Sequence, residues 1–309
     1  MVALPHPNEC PLIILRGKTI GGGVDKIWQS FEIGFRRRWA RGLTAALSAL
    51  GTVWLLTEVI TRVSTDTNTW LDSNGLSYLV VAGTISIVGF LVAVYERREV
   101  SFTIPTTGTT LILKFGNIFD ETTDWIVAVN EYFDSTLGDI VASTSLHGQV
   151  TSRVYGGNEQ SFRVDVDNAL DGYQGVTDAR AKGHPIRYPL GTVAIIKNGP
   201  HKIYLVALTK TDVVTHRANS TVPILWDALG AALAAVDRVG NGAPLTMPLI
   251  GNGRASLNVA PQHLLRLIAL KIVDASRSHD LPRKMTIALS DDCFEHLDIV
   301  EIKRGWSVV

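Results

Sequence analysis

"TLILKFGNIFDETTDWIVAVN", residues 110–130, decides the fold class of this chain. Its two ends, "TLILKFGNI" (110–118) and "DWIVAVN" (124–130), are apolar almost throughout and do not alternate with polar residues. Short runs of this kind, rich in β-branched side chains, read as strands buried on both faces of a sheet. Four more follow: "TVAIIK" (192–197), "KIYLVALT" (202–209), "PLTMPLI" (244–250) and "KMTIALS" (284–290). Helices are predicted between them. Over 221–239, Pro223 suits a first turn, Leu225, Leu229, Leu233 and Val236 form a stripe, and Gly240 closes the end. Over 260–277, Pro261 comes early and Leu264, Leu265, Ile268 and Ile272 face inward. Apolar strands alternating with helices predict an α/β domain with a largely buried mixed or parallel sheet.

Ligands of such sheets sit beyond the carboxyl ends of the strands, so the loops hold the candidates. Three stand out: 115–134, "STSLHGQ" (143–149) and "PLIGNGRAS" (248–256). In the last, Gly251 and Gly253 permit φ > 0 and let successive N–H groups converge on an anion, to which Arg254 adds a bidentate donor. A plain turn is the other reading. His147 reads as a turn histidine with a local hydrogen bond, as a ligand contact, or as a base, which would need an orienting carboxylate. Tyr132 and Phe133 read as stacking partners or, for Phe133, as core. Asp134 and Asp139 read as solvated turn acids, or as acceptors of a cationic part of a ligand.

Towards the N-terminus the pattern changes. Residues 76–95, "LSYLVVAGTISIVGFLVAVY", carry no charge, and 42–60, "GLTAALSALGTVWLLTEVI", carry only Glu58. At about 1.5 Å per residue each spans a hydrocarbon core of about 30 Å, which predicts a transmembrane hairpin over 39–98. "FRRRWAR" precedes it and "ERR" follows it, whereas the connection "TRVSTDTNTWLDSN" holds one arginine against two aspartates. The positive-inside rule therefore expects both termini in the cytoplasm. Ala82, Ser86, Gly89 and Ala93 give the second helix a face of small residues, as Gly42, Ala45, Ala46 and Ala49 do the first, suited to close packing within or between hairpins. Within 1–38, Ile27, Phe31 and Phe35 recur every fourth residue, predicting an amphipathic helix on the inner leaflet or packed on the soluble domain, 99–309.

Composition excludes several classes. Among 309 residues, 29 Lys+Arg balance 29 Asp+Glu, so no attraction to nucleic acid is expected. Cys10 and Cys293 belong to no CxxC pair, which predicts two free thiols and no cysteine-based zinc site. No HExxH, GxxxxGK[ST] or GxSxG motif occurs, and the first residues do not read as a signal peptide.

Residues 112–130 resemble the opening of a macro domain, which runs from a strand through Gly-Asp-Ile to an apolar strand ending in Asn. "NEYFD", "SLHGQ", "YPLGTVAII", "YLVALTKTD" and "PLIGNGRASL", in that order, resemble the macro domain of the Thoeris antiphage effectors, the ThsA family. Two transmembrane helices in front match its membrane-bound form. The resemblance covers about 101–309 and implies a macro-like mixed sheet flanked by helices. It also implies a homo-oligomeric effector of a bacterial inner membrane, with no catalytic residue, metal or cofactor. Its ligand is then an ADP-ribose-derived signal, histidine-linked ADP-ribose being one form, made by a TIR-domain partner. Binding triggers assembly and damage to the lipid bilayer.

Carried over by residue, the family's adenine-binding Asp matches Asn117, followed by Ile118, and Asn130 matches the Asn ending the next strand. Ser143, Ser145, Leu146, His147 and Gly148 correspond to the first phosphate loop, with Phe133 beside the base or ribose. Gly251, Asn252, Gly253, Arg254 and Ala255 correspond to the second. The "AAN" and glycine-rich run of macro-domain hydrolases is replaced by "EYFDSTLGDIVASTSLHG". That favours binding over hydrolysis. A membrane-tethered ADP-ribosyl hydrolase and a scaffold with a non-binding macro fold are the alternatives.

Overall fold

The computed structural model describes residues 23–213, 215, 217–252 and 257–306. They form two compact units that divide between Arg97 and Arg98.

The first unit is a helical hairpin of α1 (Gly23–Val63) and α2 (Thr65–Val94). Both helices are long and apolar enough to cross a membrane. The polar stretch 61–74, expected as a loop, is helical except at Ser64 and at Asn74, whose non-helical geometry (φ −127°, ψ 25°) breaks α2. Ser64 caps α2, its side chain accepting from the Thr67 N–H, and Thr69, Ser73 and Asn74 bond back to carbonyls four residues earlier. The amphipathic segment expected before the hairpin is continuous with α1, broken only by non-helical geometry at Arg38 (φ −133°, ψ 17°). Small residues set the approach of the two helices. A Cβ added at Gly89 would lie 3.5 Å from Ala49 Cβ, and one at Gly42 would lie 2.6 Å from Val94 Cγ1. At the base, Arg38 donates to Glu96 at 3.1 Å, both side chains being buried. Trp54, Leu55, Leu79, Val80 and Val92 are among many large apolar side chains left exposed.

The second unit is an α/β domain. Its strands are β1 (Glu99–Thr103), β2 (Thr110–Phe115), β3 (Asp124–Asn130), β4 (Val176–Thr177), β5 (Ile186–Arg187), β6 (Val193–Asn198), β7 (His201–Thr211), β8 (Ala218–Asn219), β9 (Leu245–Pro248) and β10 (Lys284–Leu289). Its helices are α3 (Leu146–Val154), α4 (Glu159–Ala169), α5 (Val222–Val239), α6 (Pro261–Ala275) and α7 (Ile299–Trp306). The main sheet runs β1-β2-β10-β9-β3-β7-β6, with β8 on β7, while β4 and β5 pair separately. It is parallel from β2 to β7 and antiparallel at both margins, the mixed sheet expected. The predicted strands and both predicted helices are present. β3 is buried along almost its whole length because both faces are covered. On one face Val127, Val129 and Leu205 meet Val150, Phe162 and Val166 from α3 and α4. α5 also packs on β7.

Candidate functional site

The carboxyl ends of the parallel strands meet at a cavity of about 160 Å³. β3 contributes Ala128, Val129 and Asn130, β7 contributes Leu208 and Thr209, and the turn after β9 contributes Leu249, Ile250 and Gly251. The segment leading into α3 closes it with Ile140, Val141, Ala142, Thr144, Ser145, Leu146 and His147. The register between β3 and β7 shifts here, so that Val129 faces Ala207 but Asn130 faces Thr209. The extra residue, Leu208, makes a bulge that turns the strand end at the cavity. Among the described lining residues there is no Asp, Glu, Lys or Arg.

Asn130 is held at both ends of its amide. Nδ2 donates to Asp134 Oδ2 at 2.8 Å, and Oδ1 accepts from the Asp134 N–H at 3.1 Å. Asp134 is therefore no solvated turn acid: its side chain is 0 % exposed, as is that of its partner Arg180, 3.1 Å away. The His184 N–H adds a donor at 2.7 Å, so the buried carboxylate is fully engaged. Arg180 also lies 3.8 Å from the Tyr132 ring centre, and the Tyr132 hydroxyl donates to Asp178. Burial pushes that phenol up to about 12. Tyr132 thus packs inside this network. Asp139 is exposed and paired with Lys182, as a turn acid should be.

Residues 143–149, expected as a turn, lead into α3. Ser145 is its cap: Oγ accepts from the Gly148 N–H at 3.1 Å and donates to the Ala142 carbonyl at 2.6 Å. Gly148 does not line the cavity. It is glycine because a Cβ would fall 2.3 Å from the Ala142 oxygen. His147 is 7 % exposed, and its Nε2 has no partner among the described residues. Burial lowers its pKa to about 4, opposed by the Asp134 charge and a backbone hydrogen bond to Asp134. With that pKa the ring is neutral near pH 7.

Other expected residues sit elsewhere. Asn117 caps a short 3-10 turn (Ile118–Asp120), its Oδ1 accepting from the Phe119 N–H at 3.1 Å, and Ile118 is core. Neither lines the cavity. Phe133, at φ 50°, packs edge-to-face on Tyr188 in the core, and Ser143 is exposed outside the lining. Gly251 lines the cavity at φ 92°, where glycine is favoured, and Asn252 lies beside it with Nδ2 3.6 Å from Cys293 Sγ. Cys293 is disulfide-bonded, contrary to the expected free thiol. Gly253, Arg254 and Ala255 lie outside the described residues. One cavity thus gathers Asn130, Ser145, Leu146, His147 and Gly251. Leu249 and Ile250 lie in the flagged loop 248–256 without having been named as candidates, whereas Leu208 and Thr209, at the bulged end of β7, carried no signal in the sequence. Among the described residues no group of three or more His, Cys, Asp or Glu could hold a metal.

The family model described as Thoeris protein ThsA, Macro domain, matches residues 111–290, from β2 to β10 with the whole cavity. Among solved structures the chain is similar to a mutant of the Oceanobacillus iheyensis macrodomain, at 14 % identity over 69 % of this chain and 100 % of that one, TM-score 0.48. It is also similar to that macrodomain with ADP, at 13 % identity over 68 % of this chain and 98 % of that one, TM-score 0.46. A mutant with ADPR gives 14 % identity over the same shares, 68 % and 98 %, and a TM-score of 0.46. No curated protein sequence matches the chain.

Proposed function

This chain belongs to the Thoeris ThsA macro-domain family, and from that premise we propose that it is a ligand-gated membrane effector. Its α/β unit receives an ADP-ribose-derived nucleotide, histidine-linked ADP-ribose being the candidate form, made by a TIR-domain partner. The hairpin acts on the bilayer. One observation carries the receptor reading: the end of β3, the start of α3 and the turn after β9 converge on a single cavity. The first N–H groups of α3 and its dipole suit a phosphate without any cationic side chain. The cavity is below the roughly 300–1,000 Å³ of whole-ligand pockets. It takes one part of the nucleotide, with the remainder across the strand ends.

The same residues favour binding without hydrolysis. Asn130 is engaged at both amide ends by Asp134. Among the described lining residues His147 is the one imidazole, amine or carboxylate, and at about 4 its pKa makes it a weak base near neutrality. The hairpin supports the other half of the reading, because its helices are long, apolar and studded with exposed large apolar side chains. The arginines flanking it support a reading with both ends in the cytoplasm of a bacterial inner membrane. To drive assembly, the signal must bind the homo-oligomer more tightly than the resting state.

Calorimetry and light scattering on the full chain in detergent, with ADP-ribose and histidine-linked ADP-ribose, test this directly. Saturable heat with a rise in mass is expected, together with nucleotide-dependent dye leakage from proteoliposomes. No heat with either compound sinks the receptor reading. Multiple-turnover release of free ADP-ribose from a conjugate replaces it with a hydrolase.

A further inference from the structure

Val88, Leu91, Val92 and Tyr95 fall at the i, i+3, i+4 and i+7 positions of α2 and its cap, and so share one helix face. With Phe31 of α1 and Arg97 they line a groove of about 310 Å³ on the hairpin. Phe31 and Tyr95 meet edge-to-face at 5.2 Å, which fixes one wall. Every lining residue except Arg97 is apolar or aromatic. Arg97 is exposed and has no hydrogen-bond or ion-pair partner among the described residues, whereas Arg36 is taken by Glu32 and Arg38 by Glu96. A cation without a partner, standing at the end of an apolar groove that follows a membrane-length helix, is half of a recognition pair.

We infer that this groove binds one anionic phospholipid, an acyl chain lying along Val88–Tyr95 and the headgroup phosphate meeting the Arg97 guanidinium. The inference rests on the membrane reading above. The seven-residue spacing from Val88 to Tyr95 offers roughly 10 Å of continuous apolar surface for the chain. Tyr95 places an amphipathic ring where headgroups begin, and Arg97 stands two residues further out. Guanidinium and phosphate are matched in charge and in fork geometry. A second protein copy in the groove would cover Arg97 with apolar surface, which is unfavourable for an unpaired charge. The occupant is therefore lipid, and specifically acidic lipid.

Native mass spectrometry of the full chain in mild detergent, titrated with phosphatidylglycerol and with phosphatidylcholine of the same chains, tests the site. One phosphatidylglycerol adduct retained in preference to phosphatidylcholine is expected. Arg97→Gln should reduce that preference about five-fold, the effect of one interfacial arginine. Leu91→Trp should fill the groove and remove both adducts. Equal retention of the two lipids by the native chain, a preference unchanged in Arg97→Gln, or a protein dimer in place of the adduct overturns the proposal. Flotation with vesicles separates the premise: a full chain that stays in the aqueous fraction removes the membrane reading and this site with it. One that floats but shows no acidic-lipid preference removes the site alone.

Discussion

The Asp134 carboxylate and the Arg180 guanidinium, 46 residues apart in the chain, meet at 3.1 Å with neither side chain exposed. Replacing one partner strands a buried charge, so Arg180→Met should cost about 3–5 kcal/mol of stability in urea unfolding. The double change Asp134→Leu with Arg180→Met should cost less than Arg180→Met alone, because no charge is then left unpaired.

Gly148 should tolerate no side chain. A Cβ there would lie 2.3 Å from the Ala142 oxygen, a backbone atom that cannot swing away. Gly148→Ala is expected to lose about 1–3 kcal/mol and to weaken nucleotide binding by moving the start of α3. At Gly116 nothing lies within 4 Å of an added Cβ. Gly116→Ala should therefore stay within about 0.5 kcal/mol of the native protein, both variants being compared by urea unfolding.

Acid should weaken the α/β unit through His147. Burial holds its folded-state pKa at about 4, below the ordinary 6.5. Between these values the unfolded chain takes up a proton that the folded chain refuses. The contribution is complete above pH 6.5 and is lost as pH falls towards 4, by on the order of 3 kcal/mol. The pH dependence of the melting temperature should be shallower in His147→Gln. Equal slopes would show that the buried ring does not govern it.

Inside the hairpin, Ala49 and Gly89 are close enough to be joined. A Cβ built at Gly89 lies 3.5 Å from Ala49 Cβ, at the short end of the range for disulfides. The pair Ala49→Cys and Gly89→Cys should cross-link on mild oxidation, detected by a mobility shift after proteolysis within 61–74. Adding Gly42→Leu, whose side chain would collide with Val94 and Phe90, should slow that reaction.

What the sequence disclosed depended on how local the cause was. β3 and β10 were legible because burial on both faces leaves continuous apolar runs, and α5 because Pro223 and a leucine stripe mark it. Residues 61–74 misled because threonine, aspartate and asparagine usually signal loops. Here the side chains of Thr69, Ser73 and Asn74 bond to carbonyls of the helix they occupy. At the site, Asn130 and the post-β9 turn could be found from strand ends. The burial of Asp134 could not, since its partner lies on the segment leading to β5. For Phe133 the sequence left a stacking ring and a core side chain equally open, and the structure has it in the core at a positive φ.

The buried Arg38–Glu96 pair joins residues 58 positions apart at the base of the hairpin, while Ser64 alone links the helices at the tip. The seam along Gly42, Ala49 and Gly89 therefore has a covalent tie at one end and an ionic clasp at the other. Prising the helices apart from the base would separate two buried charges, a cost of several kcal/mol that a lone apolar contact there would not impose.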